Sequence, residues 1–185
     1  MSGEWTKRSL PLKDRHTWKA KPGYSICAMD RGAIRFDYPQ GWDVSADSDS
    51  LKVRDRPEPD DNCVLGVSQL HLPREIADQV PLRELITASL ENDPRDVREL
   101  YKIVNVPRED DTEVVYGEIR FVDPNEKRDA FSRVAIARGS GVYCLMTFDF
   151  WADDVARCDP VWQEALRSLT LGMRIADPTV GPVVQ

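Results

Sequence analysis

Residues 113–151 read EVVYGEIRFVDPNEKRDAFSRVAIARGSGVYCLMTFDFW, and their patterning decides the fold. In 113–122, Val115, Ile119 and Phe121 share a parity with Gly117. In 142–151, Val142, Cys144, Met146, Phe148 and Phe150 share one, opposite Tyr143, Leu145, Thr147 and Asp149. Period two places alternate side chains on opposite faces of a sheet. With 97–106 and 128–138, these segments predict a four-strand antiparallel meander. Its connections carry turn chemistry at 108–111, Asp123-Pro124-Asn125 and Gly139-Ser140-Gly141.

Working outward, 24–29 and 33–38 flank Asp30-Arg31-Gly32 and predict a hairpin, with Ile34, Phe36 and Tyr38 on its buried face. Pro39-Gln40-Gly41 breaks it, and Trp42 follows. A short strand is expected at 51–55. Residues 63–72 form an apolar run, expected as a central strand covered on both faces. Between them, 56–62 (RPEPDDN) is a loop by composition.

Two main helices are expected, with a third, shorter one between strand and helix near 153. Pro81 suits a first turn, and Leu82, Leu85, Ile86 and Leu90 make one apolar stripe over 81–91. Over 160–170, Asp159 serves as N-cap and Pro160 as a first-turn residue. Val161, Trp162, Ala165, Leu166 and Leu169 form that stripe. Asp153 and Asp154 are expected to start a separate short helix over 153–158. The fold class is therefore α+β, a central antiparallel sheet with helices packed on its faces. The division is a basic arm at 1–23, a domain at 24–172 and a tail at 173–185.

The 185 residues suffice for one domain with its own core, and their 41% hydrophobic and 31% charged content is ordinary for a globular chain. No apolar run reaches the roughly 18 residues of a membrane span. The charged N-terminal segment lacks the apolar region of a secretory signal, so a cytoplasmic protein is expected. Cys27, Cys63, Cys144 and Cys158 form no CxxC pair and are expected as free, unreactive thiols.

The net charge of −7 is uneven: 1–23 carry six basic residues against two acids, leaving −11 on the rest. An acidic body without an aromatic-and-basic stripe argues against nucleic acid. The basic arm, with Trp5 and Trp18, is expected to dock on that body or lie in solvent.

Chemistry-bearing patterns are scarce. His16 and His71 have no partner at metal-ligand spacing. Gly139-Ser140-Gly141 lacks the nucleophile-elbow context, and no phosphate-binding glycine motif occurs. The acids at 60–61 and 109–111 read as solvated loops. No catalytic, metal or cofactor site is predicted. The remaining candidates form an interaction surface of Tyr38, Trp42, Trp151, Asp153 and Asp154, since aromatics at a sheet rim mark binding sites.

The stretch Phe36-Asp37-Tyr38-Pro39-Gln40-Gly41-Trp42 resembles the F-x-Y-P-x-G-W opening of the PsbP-like and DcrB-like proteins. Trp162–Leu169 is similar to that family's last helix, and the resemblance spans about 30–172. It implies an α-β-α sandwich shared with extrinsic photosystem II proteins, a Ran-binding nuclear-import factor and bacterial effector chaperones. These are mostly adaptors, so a non-catalytic protein-binding module is expected. The rivals are a small-molecule binder or enzyme near Trp151, Asp153 and Asp154, and a homodimer through a sheet face.

Overall fold

A computed structural model describes residues 6–47, 50–70, 79, 81–101, 103–177 and 179–181. Strands β1 (Tyr24–Met29) and β2 (Ile34–Pro39) pair antiparallel and, with β11 (Thr170–Leu171), make a small sheet. The large sheet contains β3 (Asp43–Ala46), β4 (Ser50–Arg54), β5 (Cys63–Leu70), β6 (Asp96–Leu100), β7 (Val104–Asn105), β8 (Glu113–Val122), β9 (Asp129–Gly139) and β10 (Val142–Trp151). Its order is β3-β4-β5-β10-β9-β8-β6, every pairing antiparallel, with β7 also on β8. The expected meander is its centre.

Helix α1 (Leu82–Glu91) covers one face of the large sheet. Leu82, Ile86 and Leu90 pack on Val115, Ile119, Val134 and Ile136. Leu85, expected in that stripe, is 42% exposed and points away from the sheet. Helix α2 (Val155–Ser168) and the small sheet cover the other face. There Trp162 stacks on Phe148 at 6.1 Å and meets Tyr116 edge-on at 5.7 Å. The α+β sandwich is thus the observed architecture.

Several expectations are corrected. The helices expected at 153–158 and 160–170 are one, entered through a short 3-10 turn at Ala152–Asp154. Pro160 sits inside it on the exposed side, while Cys158, Val161, Trp162 and Ala165 keep the buried stripe continuous. Burial of that stripe outweighs the one hydrogen bond a proline removes. The strand expected at 97–106 is two, β6 and β7, with a register shift between Val97 and Glu99. Residues 63–70 alternate between buried and half-buried rather than being covered on both faces. The strand β3 was not anticipated. His71 and Trp5 lie outside the described residues.

Residues expected to trail are held against the domain. Gly172 N–H donates to Ala33 O and Ile175 N–H to Arg31 O, each at 2.8 Å, and Ile175 is buried. Gly32 permits this: its φ is +93°, and a Cβ there would stand 2.6 Å from Met173 O. In the arm, Lys7 Nζ donates to Val44 O at 2.8 Å and Lys21 Nζ lies 3.8 Å from Glu164. The Arg35 guanidinium stands over Trp18, and His16 is buried, its Nδ1 accepting from Trp18 N–H.

The end of α2 is closed by a side chain from the 108–111 turn. Arg108 donates to Leu166 O at 2.8 Å and Leu169 O at 2.7 Å, and pairs with Asp110 at 2.6 Å. Leu166 O also accepts from Leu169 N–H at a longer 3.4 Å, so the guanidinium completes the C-terminal cap with a second, charged donor.

Candidate functional site

Strand register makes a notch on the α1 side of the large sheet. Phe121 of β8 lies opposite Ala130 of β9, which lies opposite Trp151 of β10. Directly opposed side chains on neighbouring strands are in contact range, so a methyl between two aromatic rings leaves a gap. The gap is a cleft of about 160 Å³. Asp61, Cys63, Asp123 and Asp149 join the three row residues in lining it.

The carboxylates arrive from separate elements. Asp149 is two residues before Trp151 and so shares its face, opposite Val64. Asp61 and Asp123 come from the loops beside β5 and β8. Each aromatic wall carries a guanidinium: Arg95 stands 4.2 Å over Phe121 and Arg128 4.7 Å over Trp151. Arg95 also pairs with Asp93 at 2.6 Å and Asp149 at 3.2 Å, and Arg54 reaches Asp61 at 3.5 Å. The Asp93 pair holds the Arg95 guanidinium above its ordinary range, and its hydrogen bonds hold Asp93 below the usual carboxylate range.

The cleft lining offers the carboxylates of Asp61, Asp123 and Asp149 and the amide of Asn62, while Cys63, paired with Phe150, sends its side chain into the core on the α2 side. The Cys63 thiol is pushed up, first by its hydrogen bond with Cys158 and then by burial. It is therefore protonated at neutral pH, a poor starting point for nucleophilic catalysis. Among the described residues, no group of three or more His, Cys, Asp or Glu side chains is arranged for a metal. What this arrangement does best is enclose an apolar group beneath a rim of carboxylates and guanidiniums.

The five predicted surface residues do not come together. Tyr38 and Trp42 pack against the core on the α2 side, with Trp42 tilted on Phe148 at 6.5 Å. Trp151 stands on the opposite face, in the cleft. Asp153 is 86% exposed and pairs with Arg128 at 3.2 Å; Asp154 pairs with Arg157 at 3.1 Å. Neither acid lines the cleft. The residues missed were Phe121, Ala130 and Asp149. Their signal was available in part: Phe121 and Trp151 both end strands of the meander, but only pairing register sets Ala130 between them.

Comparison with known proteins follows the same lines. A family profile described as Alr1449 matches residues 25–175. A Nostoc sp. (strain PCC 7120) protein, described as "Uncharacterized protein alr1449", is 42% identical over 179 residues, covering 96% of this chain and 93% of its own. Among solved structures, cyanobacterial PsbP (CyanoP) from Synechocystis sp. PCC 6803 is similar with a TM-score of 0.57 at 15% identity, over 83% of this chain and 95% of that one. LpqN of Mycobacterium tuberculosis, described as involved in cell envelope biogenesis, gives 0.51 at 10% identity, over 80% and 89%. At such identities these likenesses establish a PsbP-like fold. They do not bear on the Ran-binding branch that the sequence resemblance implied. No helix among the described residues is long and apolar enough to cross a membrane.

Proposed function

We propose that this chain, which belongs to the Alr1449 family, is a non-catalytic protein-binding module that seats one apolar side chain of a partner in the cleft at the end of its large sheet. The observation that carries this reading is the row Phe121–Ala130–Trp151, a methyl floor between two aromatic walls. Anchors of this kind supply most of the energy in protein interfaces. Asp149 and Asp61 are already paired with Arg95 and Arg54, so Asp123 is the rim carboxylate that favours a partner carrying Lys or Arg beside the anchor.

Size argues against the small-molecule rival. A cleft of about 160 Å³ holds one large side chain. Sites for whole metabolites or cofactors run to roughly 300–1,000 Å³. The four free thiols fit a reducing compartment, so the proposal places the protein in the cytoplasm.

The test uses two short capped peptides, Lys-Phe-Lys and Glu-Phe-Glu, titrated into the labelled protein and followed by NMR. Lys-Phe-Lys should shift resonances around Ala130 and Trp151 saturably and bind at least about tenfold more tightly than its acidic counterpart, a difference of about 1.4 kcal/mol. Ala130→Leu, which fills the notch, should abolish the shifts while the fold is retained. Equal binding to the Ala130→Leu protein would refute the cleft as the anchor site.

A further inference from the structure

Residues 8–15 lie exposed between two fixed points of the arm. On one side Lys7 Nζ donates to Val44 O of β3 at 2.8 Å. On the other, His16 is buried against the tail, where a Cβ on Gly181 would stand 2.7 Å from His16 Cε1. Every residue from 8 to 15 is exposed, with Leu10 at 44% and Leu12 at 45%. Pro11 separates the two leucines. A proline holds the residue before it in extended backbone and has no N–H of its own, so this stretch loses little freedom when it docks. Arg8, Lys13 and Arg15 surround the leucines, against the single acid Asp14.

We propose, resting on the anchor reading, that the partner is a second copy of this chain, whose Leu12 enters the cleft with Lys13 beside Asp123. The segment 8–15 offers what the site asks for, an apolar side chain with a cation next to it. Asp123 accepts from Asn125 N–H at 2.9 Å and Glu126 N–H at 2.8 Å through one carboxylate oxygen, and no cation pairs with it among the described residues. Charge acts in the same sense over the whole molecule: residues 1–23 carry six basic side chains against two acids, and the rest sum to −11. The arm does not fill its own cleft, since neither leucine lines it. It is tied down on the α2 side, where Trp18 lies under the guanidinium of Arg35, itself bound to Ser168 O. The cleft opens on the other side of the large sheet.

When each of two copies lends its arm to the other, the exchange closes as a symmetric dimer and the two contacts act together. Each contact buries one side chain and makes one exposed ion pair, so the dimer dissociates readily, with a Kd above about 1 µM. The ion pair also makes the association weaker as salt is raised.

Sedimentation of the full chain, from about 1 µM to about 1 mM, should show a reversible passage from the 21.1 kDa monomer to a dimer. Leu12→Asp should weaken the dimer at least about tenfold and Lys13→Glu several-fold; both positions are exposed, so the fold is retained. A second measurement locates the contact. Isotope-labelled Leu12→Asp chain keeps a working cleft, and unlabelled wild-type chain brings a working arm. Mixing them should shift the Ala130 and Trp151 resonances of the labelled chain, whereas unlabelled Leu12→Asp chain should leave them in place. A chain monomeric throughout, a dimer indifferent to Leu12→Asp, or equal shifts from both unlabelled chains would overturn the proposal. If the chain stays monomeric while Lys-Phe-Lys binds the cleft, the partner is a different protein and the anchor reading stands. If neither binds, both fall.

Discussion

Gly117 of β8 lies directly under Leu90 of α1: a Cβ on Gly117 would stand 2.4 Å from Leu90 Cδ1, with Ile86 Cγ2 at 3.2 Å and Ile103 Cγ1 at 3.3 Å. The absence of a side chain lets the helix approach the strand. Gly117→Val should push α1 off the sheet and cost about 1–3 kcal/mol, the usual range for overpacking. That corresponds to a Tm lower by several degrees in a chain of this size. Thermal unfolding by circular dichroism reads it directly, and an unchanged Tm would mean that the helix accommodates the added methyls.

Arg108 and Asp110 give a prediction on the acid side. The Arg108 guanidinium, which donates two hydrogen bonds to Asp110, holds its carboxyl down to about 2, against an unfolded value of about 3.9. A depressed carboxyl stabilises the fold fully above its unfolded value and ceases to as pH falls through its folded one. Asp110→Asn should therefore flatten the fall of Tm between about pH 4 and pH 2. Asp110 is half-exposed, so the effect is modest. A Tm-against-pH series for both proteins decides it.

Arg35 and Asp37 titrate with the opposite sense. The pair is buried at 2.6 Å, and burial keeps the Asp37 carboxyl above its ordinary range despite the neighbouring charge. Arg35→Met would leave that carboxyl without its counter-ion, costing about 3–5 kcal/mol at neutral pH. A raised carboxyl loses stability as pH climbs through its folded value, so the penalty should shrink as pH falls and protonation removes the unpaired charge. Adding Asp37→Leu to Arg35→Met should recover much of the loss in urea unfolding.

Asp153 provides a contrasting case. Its carboxylate is largely exposed, and its partner Arg128 also stands over Trp151. Asp153→Ala should change stability by less than about 0.5 kcal/mol and leave Lys-Phe-Lys binding within about twofold. A tenfold weakening of peptide binding would bring this acid into the recognition surface.

The central meander was legible because alternation over 113–122 and 142–151 depends only on which face is buried. Gly117 shared the parity of Val115 and Ile119, which placed it on a packed face; that it receives Leu90 is visible only once α1 is docked. The helix at 155–168 was read as two because Pro160 is a strong local stop signal. Local propensity lost to a stripe of buried side chains running through it. The predicted surface failed to assemble because Tyr38, Trp42 and Trp151 were grouped as strand-end aromatics. Being at a strand end does not fix the face.

By itself, the sequence determined the elements and their hydrophobic faces, since alternation, helical stripes and turn residues are local properties of the chain. Tertiary structure alone decided which side chains meet. Setting Ala130 between Phe121 and Trp151 requires the pairing register of three strands. Bringing Arg108 to the carbonyls ending α2 requires packing between elements distant in the chain. Those contacts form wherever burial and hydrogen bonding are satisfied for the whole molecule, and no window of sequence contains that sum.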